Sequence, residues 1–196
     1  KTQKISMTID KKIFYQEVKD RWIATQILKN DVFENGENIR ITATNFVEHV
    51  DLKGSVVNKN GKRIKFNVEI KERFKNPINY VKYPNAELKQ WKLNYLIQNT
   101  PSDTKLLYMV MVNKTECYIY QLDKIDFTKL DSFVWYIRSC QMDNTSNYVP
   151  NITYKLPFSM ATKKVDCAKY YEEWEDYLKK SNQSHISIYE NRSLHI

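Results

Sequence analysis

At 196 residues the chain has the length of one domain, and its 42% hydrophobic and 13% aromatic content supplies a core beneath a surface carrying 28% charged residues. Disordered and fibrous classes are excluded by that balance, and no run approaches the roughly 20 apolar residues that a membrane-crossing helix requires. The 31 Lys and Arg outnumber 23 Asp and Glu, and a net charge of +8 suits a protein that meets a polyanion without by itself identifying one.

The first predicted element runs from Lys11 to about Phe33, where Phe14, Val18, Trp22, Ala24, Ile27 and Leu28 recur at helical spacing. Thr42 to Val57 is rich in β-branched residues and ends at the turn signal Asn58-Lys59-Asn60-Gly61, after which a second β-rich run covers Arg63 to Lys71. These two runs predict a hairpin. Asn85 to Asn99 reads as a helix carrying Leu88, Trp91, Tyr95 and Leu96, broken by Thr100-Pro101-Ser102-Asp103. Leu106 to Val112 is nearly uninterrupted in apolar residues, as in a central strand covered on both faces, and Cys117 to Leu122 makes a further strand. A short helix is predicted near Asp131 to Arg138, and a longer one from Ala161 to Lys180 on Val165, Ala168, Tyr171, Trp174 and Leu178.

Only three glycines occur, so no glycine-rich phosphate loop is present, and Cys117, Cys140 and Cys167 are too widely spaced to indicate a disulfide framework or a zinc site. The N-terminal Lys1-Thr2-Gln3-Lys4 lacks the apolar run of a signal peptide. The expectation is an intracellular protein, cytoplasmic or associated with the nucleoid or nucleus, with no membrane contact.

The segment richest in chemistry is Ile64-Lys65-Phe66-Asn67-Val68-Glu69-Ile70-Lys71. In a strand, successive side chains alternate between faces, so Ile64, Phe66, Val68 and Ile70 form an apolar face while Asn67, Glu69 and Lys71 share the other. If Lys59-Asn60-Gly61 is a three-residue loop with Gly61 left-handed, Asn58 pairs with Lys62 and the register carries Asp51 opposite Glu69. Two facing carboxylates repel unless a cation or proton lies between them, a need that a divalent metal answers. A two-residue Asn60-Gly61 turn instead shifts the register by one and turns Asp51 away, unless a bulge at Gly54 restores it.

Asp51 followed eighteen residues later by Glu69-Ile70-Lys71 resembles the PD-(D/E)xK nuclease superfamily of restriction endonucleases, Holliday-junction resolvases and repair nucleases. Val50 stands where that motif often has Pro. The resemblance implies an α/β (α+β) fold: a restriction-endonuclease-like αβββαβ core over about residues 11–122, its mixed central sheet flanked by helices. A C-terminal helical extension over about 123–196 completes a single domain 1–196. It further implies a metal-dependent endonuclease hydrolysing nucleic-acid phosphodiesters, DNA first, with Asp51, Glu69 and Lys71 catalytic. Mg2+ or Mn2+ is then held by Asp51, Glu69 and the backbone carbonyl of Ile70.

Glu17 projects from the inward arc of the first helix with Ala24 and Leu28, where it serves either as a further metal ligand or as the ion-pair partner of Arg21. The family's helical Gln followed by Tyr is matched imperfectly by Gln90 and Tyr95. Substrate contacts fall to Gln90, Arg73 and Lys75, with Lys62, Arg63, Lys65 and Lys82 also flanking the site. His49, two residues before Asp51, reads as a ligand, a proton carrier or substrate contact, or a packed histidine. A homodimer is compatible with this reading. The alternative is a noncatalytic nucleic-acid-binding module or a recombination or repair subunit of the same fold.

Overall fold

The computed structural model describes residues 8–44, 48–73, 84–138 and 148–180. Its elements are α1 (Thr8–Ile27), β1 (Glu37–Ala43), β2 (Leu52–Val57), β3 (Arg63–Arg73), β4 (Asn85–Lys89), α2 (Gln90–Gln98), β5 (Thr104–Val112), β6 (Glu116–Gln121), β7 (Ser132–Arg138), β8 (Tyr148–Pro157), β9 (Lys163–Asp166) and α3 (Ala168–Lys180). The expected αβββαβ order is present, with β4 as an addition between β3 and α2.

Six strands form the main sheet in the order β1-β2-β3-β5-β6-β9. It is mixed: β3 and β5 run parallel, and the other neighbours pair antiparallel. Strand β5 is buried on both sides, as its unbroken apolar run requires. Leu107, Met109 and Met111 join one core with Val18, Ile23 and Trp174, while Leu106, Tyr108, Val110 and Val112 join the other with Leu93 and Leu96. Strand β3 obeys the same alternation, with Phe66, Val68 and Ile70 in the core beneath α1 and α3. Pairing of Asn67 with Leu106 and Glu69 with Tyr108 therefore turns Asn67, Glu69 and Lys71 toward the α2 side.

Helix α1 breaks into a π-turn at Leu28–Val32 after a buried stripe of Val18, Ile23, Ala24 and Ile27. It packs on α3 through aromatic rings, the Trp22 centroid lying 5.5 Å from that of the buried Trp174, whose indole N–H donates to Tyr15 Oη at 3.1 Å.

Four expectations need correction. Asp131 to Arg138 is not a helix; Ser132–Arg138 is strand β7, because Phe133, Val134, Trp135, Tyr136 and Ile137 form a β-branched and aromatic run paired with β8. The predicted helix from Asn85 begins only at Gln90, since Ala86 and Leu88 point inward at a period of two and β4 pairs with β8. The extension beyond 123 is not simply helical: β7 and β8 make a second, three-stranded sheet with β4, and β9, which contains Val165, joins the edge of the main sheet before α3 starts. Finally, no single strand runs from Thr42 to Val57. Residues 48–51 form a bend ahead of β2, and Phe46 and Val47 lie outside the described residues, as do Lys75, Lys82 and Cys140. Cys117 and Cys167 are buried free thiols.

Candidate active site

The β2–β3 hairpin sets the site, and its turn closes through Asn58. Its N–H donates to the Lys62 carbonyl at 3.0 Å, its carbonyl accepts from Gly61 N–H at 2.9 Å, and its Oδ1 accepts from the N–H groups of Asn60 and Lys62. Gly61 has φ +72°, the left-handed conformation that a three-residue loop demands. From there the register runs unshifted from Val57 opposite Arg63 to Leu52 opposite Val68. Gly54 carries no bulge between β2 and β3; it is Gly because a Cβ there would meet the Phe66 ring at 2.4 Å and the Arg40 carbonyl at 2.6 Å.

Regular pairing ends one residue before Asp51, whose side chain then continues the work of the ladder. Asp51 N–H donates to the Val68 carbonyl at 2.9 Å, and its Oδ2 accepts the Ile70 N–H at 2.7 Å. The other oxygen, Oδ1, lies 3.2 Å from the guanidinium of the buried Arg21 on α1. Asp51 is thus pinned at the strand end, reached by α1 from one layer and by β3 from the other.

Glu69 is 15% exposed at its side chain, and its Oε1 lies 2.9 Å from Lys92 Nζ on α2. Burial, followed by the negative charge of Asp51, pushes the Glu69 carboxyl up to about 7, while Lys92 and Lys71 pull it the other way. Lys71 feels both carboxylates, yet its ammonium is shifted down, first by partial desolvation against its surroundings and then by Arg73. Glu17 is half-buried on the inward arc of α1; burial raises its carboxyl, Arg21 offsets this, and Asp51 adds to it. The structure therefore gathers Glu17, Asp51 and Glu69 with Arg21, Lys71 and Lys92, three acids balanced by three bases. Among the described residues no three His, Cys, Asp or Glu side chains are close enough to hold a metal ion by themselves.

The other sequence candidates sit around this centre. His49 lies in the bend, its carbonyl accepting from Lys92 Nζ at 3.4 Å, its ring 6.3 Å from that of Tyr95 at 80°. Burial, then Lys53, lowers its imidazole, and it lines a groove of about 340 Å³ with Lys53, Lys65, Asn67 and Asn99. Gln90 donates to Tyr154 Oη at 3.0 Å, and Arg73 lies 3.9 Å from Glu87. Lys75 is outside the described residues.

Two members of the site were not selected from the sequence. Arg21, which the sequence offers only as an alternative partner for Glu17, also brings its guanidinium to Asp51. Lys92 precedes Leu96 by four residues and so borders the buried arc of α2, a spacing that is the available signal. Trp91 and Tyr95 at helical spacing mask it, because they point outward, 58% and 44% exposed.

No protein-family model matches the chain, and no curated protein sequence matches it. Three solved chains match. One is Hjc, a Holliday junction resolvase from the archaeal hyperthermophile Archaeoglobus fulgidus, which is 10% identical over 74% of this chain and 96% of that chain, with a TM-score of 0.38.

Proposed function

We propose that this protein is a Mg2+- or Mn2+-dependent endonuclease of the PD-(D/E)xK type, hydrolysing nucleic-acid phosphodiesters and DNA first. The observation that carries the reading is the unshifted hairpin register, which leaves the Asp51 carboxylate clasping Ile70 N–H beside Glu69. The donor set fits a hard cation: two carboxylates, Asp51 at the end of β2 and Glu69 on β3, with the Ile70 carbonyl next to Glu69 in the chain. Magnesium takes one or two carboxylates and fills its remaining positions with water and substrate oxygens, so a dedicated cage of three side chains is not required. Such an ion supplies an acidified water and screens the charge that builds on phosphate. Lys71, exposed beside Glu69, orients the attacking water or stabilises the developing negative charge. Lys92, which neutralises Glu69 in the free protein and is partly open to solvent, would become available to phosphate oxygens if Glu69 held an ion.

A second reading, a noncatalytic nucleic-acid-binding module, draws on the same two ion pairs, because both carboxylates already carry a protein cation. Incubation with supercoiled plasmid separates the two. Cleavage with Mg2+ or Mn2+, absent with chelator, is expected for the enzyme, with Asp51→Ala, Glu69→Ala and Lys71→Ala each slowing it roughly 100-fold or more. Salt-sensitive DNA binding in chelator without cleavage in either ion selects the module instead.

A further inference from the structure

We infer that the outer face of α2 is a stacking platform for unpaired bases, so that the substrate is single-stranded, or has a single-stranded segment, where it meets the site. This inference rests on the nuclease reading for the position of the cut and on α2 itself for the kind of strand. Helix α2 buries Leu93 and Leu96 and leaves Trp91 58% and Tyr95 44% exposed. These are among the few large apolar groups that the described surface presents, and they are adjacent: residues four apart share a helix face. The two positions are separated by a rise of about 6 Å along the helix. Bases in a duplex strand stand about 3.4 Å apart, with both faces already covered by their neighbours. Two rings at the wider spacing suit bases splayed from one another, each on its own aromatic surface.

The surroundings of the platform supply the charge that a strand needs. Tyr95 stands edge-on to His49, which lines the groove with Lys53, Lys65 and Asn67. Asn67 and Lys65 lie on the Glu69 face of β3, so the groove runs along that strand toward the acids. Lys92, next to Trp91 in the chain, reaches Glu69 at 2.9 Å and joins the ridge to the centre. Lys53 pairs with Glu48 and Lys65 with Asp103 at exposed positions, and pairs of that kind are weak enough for phosphate to displace. Aromatic rings beside a cationic groove are what sequence-tolerant binding of single strands uses, and a continuous duplex would meet only the cations.

The test is fluorescence anisotropy of the full chain in chelator, using labelled 15-nucleotide oligo-dT and oligo-rU and a DNA duplex of the same length. A single strand of either sugar is expected to bind tighter than the duplex. Trp91→Ala should weaken single-strand binding roughly 5- to 100-fold, and Tyr95→Ala should do the same, while Trp91→Phe keeps most of it. Duplex affinity and the salt dependence should stay unchanged, because no phosphate contact is removed. Lys53→Ala with Lys65→Ala should instead lower the single-strand salt slope by about 1.4. Both aromatic positions are exposed, and far-UV circular dichroism checks that the variants fold. Equal loss on duplex and single strand overturns the inference, as does no loss on either. A ridge that proves to join two copies, seen as concentration-dependent sedimentation abolished by Trp91→Ala, overturns it as well. Metal-dependent plasmid cleavage with no strand preference leaves the nuclease reading standing without the platform; failure to bind any of the three probes removes both.

Discussion

Asp51 and Glu69 each hold a protein cation at a distance where a metal ion would compete with it. The Lys92–Glu69 contact is largely shielded from solvent, with side chains 24% and 15% exposed, and the ammonium pulls down a carboxyl that burial raises. Removing the ammonium while keeping its aliphatic stem frees Glu69 at little cost in packing. Lys92→Met is therefore expected to tighten divalent binding by roughly 2- to 5-fold at a pH well above the Glu69 value, where the carboxyl is ionised, a gain that terbium luminescence titration measures. A weaker affinity would mean that Lys92 orders the acid rather than competes for it. The pairing itself is not legible in the sequence: Lys92 is 23 positions from Glu69, and only the packing of α2 on the sheet brings the two together.

At the scale of the element, the hairpin carries the placement of the acids, and its two glycines serve different ends. Gly61 has open space around the position of a Cβ, so Gly61→Ala pays only for its positive φ. It should cost about 1 kcal/mol by urea denaturation and leave the register intact. Gly54 faces Phe66 across the pair, and Phe66 stacks on Phe33 with centroids 4.7 Å apart, leaving the ring little room to give way. Gly54→Ala should therefore cost about 3 kcal/mol or more and disturb the site with the fold. The turn chemistry of the hairpin was readable because Asn58 and Gly61 act locally. The β4–α2 boundary was not, because Leu88 lies at helical spacing from Trp91 and only pairing with β8 reveals Asn85–Lys89 as strand.

Across the whole molecule, a buried polar cluster ties α1, β3 and α3 together one residue beyond Lys71. Glu72 accepts from Lys19 Nζ at 3.3 Å, from Tyr171 Oη at 2.7 Å and from Gln16, which also donates to Asp20 at 2.9 Å. Burial and the neighbouring Glu72 charge hold the Asp20 carboxyl far above its ordinary 3.8, despite the opposing pull of Lys19. The folded chain thus keeps a proton on Asp20 that the unfolded chain releases near pH 4. Its stabilisation is complete below that value and is lost as pH rises through the folded value. Thermal midpoints measured from pH 5 to 9 should fall with rising pH, and Asp20→Asn should flatten the fall; an unchanged slope would place the proton elsewhere.

Patterns that act over a few residues were settled by the sequence alone. Alternation in β3 assigned Glu69 and Lys71 to one face, the Asn58–Gly61 turn led to the register beneath Asp51, and the unbroken apolar run of β5 announced a strand covered on both sides. Tertiary structure decided which distant groups meet the acids and which strands pair outside the hairpin. Arg21 and Lys92 reach the site from helices on opposite faces of the sheet, and β8 pairs with β4 across a long stretch of chain. Local periodicity records which way a side chain points within its own element, whereas the partner it meets there is set by how separate elements pack.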